Sequence, residues 1–147
     1  MTETKNKPKK RRWLVISVGI IFSLGIIFTA LKVGYDRFYN GYPDTRQVMK
    51  KISELSDDEN QKTVLVFHKP GCANCLAARS TVKAAIKENA KRVNYIVINK
   101  NDRAAQDVIT NYGISTYPTV VVLHGKQVVN SAMDWRGDQF KKSLMGD

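Results

Sequence analysis

The feature that most limits how this chain can fold is an uncharged, strongly apolar run at residues 13–31, WLVISVGIIFSLGIIFTAL. At about 1.5 Å of rise per residue, a helix of this length spans about 30 Å, the thickness of a bilayer's hydrocarbon core. A helix satisfies its own backbone hydrogen bonds, so it can cross lipid. We therefore predict a transmembrane helix at residues 13–31, with the lipid bilayer as its partner.

A basic cluster precedes the apolar run and gives it an orientation. Its members are Lys5, Lys7, Lys9, Lys10, Arg11 and Arg12. Because basic flanks stay in the cytoplasm, we predict a single-pass protein of the cell membrane with residues 1–12 cytoplasmic and the C-terminal domain extracytoplasmic. The alternative is a cleaved signal peptide, which has a shorter apolar core of about 7–15 residues and a small-x-small cleavage site. Either interpretation exports the rest of the chain to a compartment where disulfides persist.

The net charge of +11 is unevenly distributed. Residues 1–41 carry eight Lys or Arg against two acidic residues, which gives +6, and residues 42–147 carry sixteen against eleven, which gives +5. The exported part is therefore only mildly basic. It lacks a basic face interleaved with aromatic residues, which nucleic-acid binding requires. We predict no nucleic-acid partner.

After a juxtamembrane linker at residues 32–42, residues 43–147 alternate between two sequence patterns. Short β-branched and apolar runs, typical of buried strands, occupy residues 63–68, 93–99, 118–124 and 127–130. Runs with apolar residues three and four apart, typical of helices, occupy residues 45–55, 72–90, 103–111 and 138–145. Strands separated by helices predict an α/β domain with a βαβ unit and a sheet covered on both faces, and the closing hairpin makes the sheet mixed.

The two cysteines of the chain, Cys72 and Cys75, lie where the first strand meets the following helix. A thiolate is the species that attacks a disulfide. The unpaired N–H groups and the dipole at a helix N-terminus favour negative charge, so we expect a lowered pKa for Cys72. Cys75 lies one turn further along the helix, where it can attack a mixed disulfide formed on Cys72. We predict Cys72 as the nucleophile and Cys75 as the resolving thiol.

Two other roles for this pair are weaker. A static structural disulfide that closes so short a loop restricts the unfolded chain least. A zinc site usually needs four ligands, and only His68 and His124 remain to complete one, without the expected spacing. We predict no metal and no cofactor.

Three segments together resemble the thioredoxin family, and the resemblance covers residues 43–147. They are the apolar strand before Gly71-Cys72-Ala73-Asn74-Cys75, the segment YGISTYPT at residues 112–119, and the strand, Gly125-Lys126 turn and strand that follow. The resemblance implies a thioredoxin fold, with a central mixed sheet flanked by helices. It also implies thiol–disulfide oxidoreductase activity and a redox-active Cys72–Cys75 disulfide.

The resemblance also implies a substrate-binding surface. The family's cis-proline corresponds to Pro118, which would lie against the two cysteines, and the backbone of Tyr117 would pair with an extended substrate segment. Gly71, Ala73 and Asn74 would complete the contact with the substrate. The alternative for Pro118 is an ordinary trans proline at the start of an edge strand.

The sequence departs from the family pattern at three places. Gly71 stands where the family usually has Trp, and Ala73-Asn74 stands where it usually has Gly-Pro. The buried acid that often precedes the motif has no counterpart, because Val66 and Phe67 fill that stretch. Such an acid assists proton transfer at the second cysteine, so its absence favours a narrower or slower exchange role.

These observations lead to two hypotheses about function. The first is a membrane-tethered thiol–disulfide oxidoreductase that acts on exported protein substrates and is recycled by an external redox partner. The second is a thioredoxin-like accessory or binding protein of a bacteriocin or other secretion system, with one dedicated client. The direction of electron flow depends on the redox potential of the cysteine couple.

Overall fold

The computed structural model describes residues 8–39 and 41–147. The chain divides into two compact units, residues 1–41 and residues 42–147. Residues 1–7 of the predicted cytoplasmic segment and residue 40 of the predicted linker lie outside the described residues. Each unit is described by itself.

The described part of the first unit contains one long helix, α1 (Pro8–Tyr39). Its stretch Val15–Gly34 has a mean hydropathy of 2.2 and is entirely exposed, so by length and composition it could cross a membrane or serve as a signal sequence. The hydroxyl groups of Ser17 and Thr29 donate hydrogen bonds to backbone carbonyl oxygens one turn earlier, so these polar groups are satisfied within the helix. The helix includes the predicted span and continues through residues 32–39 of the predicted linker.

The second unit is a four-stranded mixed sheet flanked by helices, as predicted. Its strands are β1 (Lys62–His68), β2 (Asn94–Asn99), β3 (Thr119–His124) and β4 (Gln127–Ala132). Its helices are α2 (Val48–Ser53), α3 (Ala73–Asn89), α4 (Gln106–Asn111), which follows a 3₁₀ turn at Arg103–Ala105, and α5 (Asp138–Leu144). The strand order is β2-β1-β3-β4, in which only the β1–β2 pair is parallel.

Strand β1 lies at the centre of the core and is buried on both faces. Val64 and Val66 pack on one side with residues of α3 and α5, and Leu65 and Phe67 pack on the other with residues of α2 and α4. Successive side chains of a strand point to opposite faces, so a strand covered on both sides reads as a continuous apolar run. This packing fixes the C-terminal end of β1, from which the chain turns into α3.

The first helix of this domain is shorter than the sequence pattern predicts. The prediction placed it at residues 45–55, whereas α2 begins at Val48. Thr45 instead joins the edge of the sheet: its N–H donates to the Val97 carbonyl, and its hydroxyl oxygen accepts from the Val97 N–H, both at 2.9 Å. Hydrogen bonding to the free edge of β2 thus competes successfully with helix formation at this position.

Candidate active site

Cys72 lies at the N-cap of α3, directly after the turn that follows β1. Gly71 has a φ of 75°, a left-handed conformation that glycine adopts without steric cost. Cys72 itself is extended, and its Sγ accepts a hydrogen bond of 3.3 Å from the N–H of Cys75. The sulfur therefore occupies the place where a helix N-terminus offers unpaired donors, as predicted.

Both cysteines are free thiols in this structure. Their surroundings shift the pKa values of the two thiols in opposite directions. Partial burial by itself raises the pKa of Cys72. Hydrogen bonds from the Cys75 side chain and from the N–H groups of Cys75 and Asn74, together with the charge of Lys69, outweigh burial and lower that pKa. For Cys75, burial and then the hydrogen bond to Cys72 raise the pKa to about 11. Of the two, Cys72 is thus the more readily ionised.

A cis-proline loop forms the other wall of the site. The Tyr117–Pro118 peptide bond is cis, as the resemblance to the thioredoxin family implies, and not the alternative trans isomer. The Cys72 thiol donates to the Tyr117 carbonyl oxygen at 3.5 Å. Pro118 is buried behind Tyr117, and the ammonium of Lys100 lies 5.9 Å from the centre of the Tyr117 ring. The cis-proline loop thus brings the main chain of Tyr117 into contact with the Cys72 sulfur.

The remaining predicted site residues lie around Cys72 on the surface. Gly71, Ala73 and Asn74 are exposed, and they flank Cys72 in sequence. Leu76, in the first turn of α3, is 62% exposed. The buried face of α3 instead consists of Cys75, Ala78, Val82, Ala85 and Asn89. The position of this face leaves Leu76 exposed next to Cys75.

A polar cluster behind Cys75 was not predicted as part of the site. The hydroxyl of Tyr42 donates to the carbonyl oxygen of Cys75 at 2.7 Å. The Tyr42 ring stacks on His68, with ring centroids 4.1 Å apart and an interplanar angle of 8°. His68 Nε2 is hydrogen-bonded to Asp44 Oδ1 at 2.5 Å, and Asp44 Oδ2 accepts from Asn99.

The position of the family's buried acid is apolar in this chain. Val66 is completely buried within the core. Nearby, burial and then the charges of Cys75 and Cys72 raise the pKa of Tyr42, while Arg79 acts in the opposite direction. The phenol is therefore within electrostatic reach of both sulfurs and stays protonated. Within the part of the chain that the structure describes, no group of three or more His, Cys, Asp or Glu is arranged to hold a metal ion.

The chain is similar to known thioredoxins. The Thioredoxin family model matches residues 46–145. The thioredoxin from Trypanosoma brucei brucei is 13% identical with a TM-score of 0.57, covering 72% of this chain and 89% of that one. Thioredoxin NaTrxh from Nicotiana alata is 18% identical with a TM-score of 0.58, covering 69% of this chain and 85% of that one.

A third solved structure, the germline-specific thioredoxin Deadhead from Drosophila melanogaster, is 21% identical with a TM-score of 0.53, covering 71% of this chain and 93% of that one. At these identities the solved structures establish the fold alone. No curated protein sequence matches the chain. A thioredoxin-like fold supports a function of the thiol–disulfide oxidoreductase type, although some members of the family are not catalytic. On the family match across residues 46–145, the chain belongs to the thioredoxin family.

Proposed function

We propose that this protein is a membrane-tethered thiol–disulfide oxidoreductase that acts on exported protein substrates. The observation that carries the proposal is the position of Cys72 at the N-cap of α3, where hydrogen bonds lower its pKa. A thiolate at such a position is the reactive form of a cysteine at neutral pH. Cys75 remains a protonated thiol at neutral pH, because its pKa is about 11.

The proposed reaction exchanges one disulfide for another. The Cys72 thiolate attacks a sulfur of the client disulfide, forming a mixed disulfide and releasing one client thiolate. Cys75 then loses its proton and attacks Cys72, so that a Cys72–Cys75 disulfide forms and the second client thiolate leaves. The client gains two electrons, which the cysteine pair loses. In the opposite direction, a client thiolate attacks the Cys72–Cys75 disulfide, and a redox partner outside this chain restores the starting state.

The client would bind as an extended segment against the cis-proline loop. The carbonyl of Tyr117 lies 3.5 Å from the Cys72 sulfur and points toward it. A client strand that pairs with this backbone would bring its own sulfur to Cys72 by main-chain hydrogen bonds, as peptides do at exposed sheet edges. The exposed residues Gly71, Ala73 and Asn74 supply the remaining contact surface.

The tether would be α1, whose apolar stretch Val15–Gly34 has the length of a bilayer span. In the proposed orientation the cysteine pair lies outside the cell. This orientation is tested by treating intact cells with a membrane-impermeant reductant, which opens any Cys72–Cys75 disulfide, and then with a membrane-impermeant maleimide. Because Cys72 and Cys75 are the two cysteines of the chain, labelling in intact cells supports the orientation. Labelling that requires lysis contradicts it.

The exchange chemistry is tested with Cys72→Ser and Cys75→Ser in the full-length chain. We expect Cys72→Ser to abolish reduction of a disulfide-bonded peptide. We expect Cys75→Ser to accumulate a mixed disulfide with the peptide, which a reducing agent releases. Ala77→Ser places a serine at an exposed position of the same helix and should leave exchange unchanged. Exchange that survives in Cys72→Ser would exclude Cys72 as the nucleophile.

One observation favours the second candidate, a binding protein with a dedicated client. Val66 and Phe67, both completely buried, fill the stretch in which the family often has an acid, and the lack of an acid there suits a protein that rarely turns over. A Cys72→Ser, Cys75→Ser double variant separates the two functions in cells. If the double variant keeps the biological output of the protein, the binding function is correct and the oxidoreductase function is wrong.

A further inference from the structure

We propose that Tyr42 is a positioning residue for the resolving step, which holds the Cys75 peptide in place while Cys75 attacks the mixed disulfide. This inference rests on the proposed oxidoreductase function, because it assigns a residue to the second half of that reaction. The contact that carries it is the 2.7 Å hydrogen bond from the Tyr42 hydroxyl to the Cys75 carbonyl oxygen. The bond joins residues that are 33 positions apart in the chain.

The Tyr42 side chain is held by the His68 ring, which is itself held by a hydrogen bond. Its ring stacks on the nearly completely buried ring of His68, which is only 5% exposed. His68 is in turn hydrogen-bonded to Asp44, whose second carboxylate oxygen accepts from Asn99 at the end of β2. The phenol is therefore fixed by packing and by hydrogen-bonded neighbours, which is what a positioning residue requires.

The mixed disulfide is the state in which this contact matters most. In the structure, where Cys72 is free, the N–H of Cys75 donates to Cys72 Sγ at 3.3 Å, and this bond is strongest when Cys72 is a thiolate. Once Cys72 is bonded to a client sulfur, it has no negative charge, and a hydrogen bond to a neutral acceptor is about half as strong. The Tyr42 bond does not involve Cys72, so it continues to hold the first turn of α3 when the hydrogen bond from the Cys75 N–H to Cys72 Sγ is weakened.

Positioning in this state should change a rate, since the second step is an intramolecular attack. Reactions of this kind owe much of their speed to the placement of the reacting atoms. The first step should depend less on Tyr42, because Tyr42 bonds to the Cys75 carbonyl and not to Cys72, whose sulfur is held by N–H groups of the helix N-terminus and lies against the Tyr117 carbonyl. Removal of the Tyr42 hydroxyl should therefore slow resolution more than the first attack.

The test uses the aromatic disulfide dithiobis(nitrobenzoate), which releases a coloured thiolate at each of the two steps. Attack by Cys72 releases the first thiolate and leaves a mixed disulfide. Attack by Cys75 forms the Cys72–Cys75 disulfide and releases the second thiolate. The reduced full-length protein in mild detergent is mixed with excess reagent, and the two phases of colour are timed separately.

For Tyr42→Phe we expect the first phase to stay within about twofold of the wild type. We expect the second phase to be about fivefold slower, which corresponds to the net worth of one hydrogen bond. Tyr95→Phe is the control, because the Tyr95 hydroxyl also donates to a backbone carbonyl oxygen away from the cysteines, that of Leu144 in α5, and lies at a longer 3.3 Å from that of Ala85 in α3. Tyr95→Phe should lose stability without a change in either phase.

Three outcomes would overturn the inference: equal second phases in Tyr42→Phe and Tyr95→Phe, an equal slowing of both phases in Tyr42→Phe, or a slower first phase alone. If Tyr42→Phe does not fold, Asp44→Ala takes its place, since it removes the acceptor of His68 and should slow the second phase alone. A wild type without any second phase would contradict the proposed function itself, which separates the two failures.

Discussion

The two cysteines should ionise in separate steps, and the separation can be measured directly. Burial and the hydrogen bond to Cys72 raise the pKa of Cys75 from its ordinary value of 9.0 to about 11. Two pKa units correspond to about 2.7 kcal/mol between the thiol and the thiolate. At neutral pH the thiolate of Cys75 is thus about 100-fold scarcer than that of an ordinary cysteine, whereas Cys72 is enriched in thiolate because its pKa is lowered.

The measurement is an NMR titration of the full-length protein with ¹³C in the cysteine Cβ atoms, a label that gives two signals for this chain. We expect the Cys72 signal to titrate below pH 9 and the Cys75 signal near pH 11. Capping of Cys72 with a neutral alkyl group removes the effects of Cys72 on Cys75 and leaves that of burial. The Cys75 signal should then titrate at a lower pH than before, but still above pH 9.

This titration also fixes the sign of a stability effect. The raised pKa of Cys75 means that the folded state holds its proton more tightly than the unfolded state, so Cys75 lowers the free energy of unfolding as pH rises from about 9 to about 11. Cys72 has the opposite sign, since its lowered pKa stabilises the fold above the ordinary thiol value. Titration of Cys75 below pH 9 in both forms of the protein would refute this account of the site.

Two further predictions concern the scaffold, and thermal or urea unfolding checks both. Phe140→Ala should lower the free energy of unfolding by about 3–5 kcal/mol, because the ring is completely buried; a loss below about 1 kcal/mol would contradict the packing described. Gly125→Ala should lower the free energy of unfolding more than Gly113→Ala. Both glycines have a positive φ, which strains an alanine, but only at Gly125 would the new Cβ also lie 3.0 Å from a carbonyl oxygen, that of Asp57. Equal losses would show that backbone strain alone matters.

The parts of the fold that the sequence predicts are those set by local patterns. The run from Val64 to Phe67 reads as a strand buried on both faces, and the structure buries every residue of it. The place of Cys72 at a helix start follows from the change of pattern after that strand. The exposure of Leu76 does not follow from the sequence, because the apolar residues of α3 fit two adjacent faces of a helix and only packing distinguishes them.

The part of the candidate site that the sequence does not predict depends on contacts between distant segments. Tyr42 precedes the domain's first helix and lies in a run of aromatic residues, so its pattern suggests the membrane surface as readily as the domain. Its partners, Cys75 and His68, lie on α3 and β1. No periodicity links positions 33 residues apart. A polar residue such as His68 at the end of an apolar strand is the one local signal, since a buried imidazole needs a partner.

The edge contact between Thr45 and Val97 has a consequence for biosynthesis. A chain inserted in the proposed orientation delivers residue 45 across the membrane first, but its partner on β2 follows 52 residues later. Until β2 arrives, the segment that carries Tyr42 has no sheet to join, although both cysteines have already emerged. In that orientation the cysteine pair would cross the membrane before the segment that carries Tyr42 could join the sheet. Early oxidation of this pair would be governed by the cell's own catalysts, and the geometry of the finished site would take control only after β2 is exported.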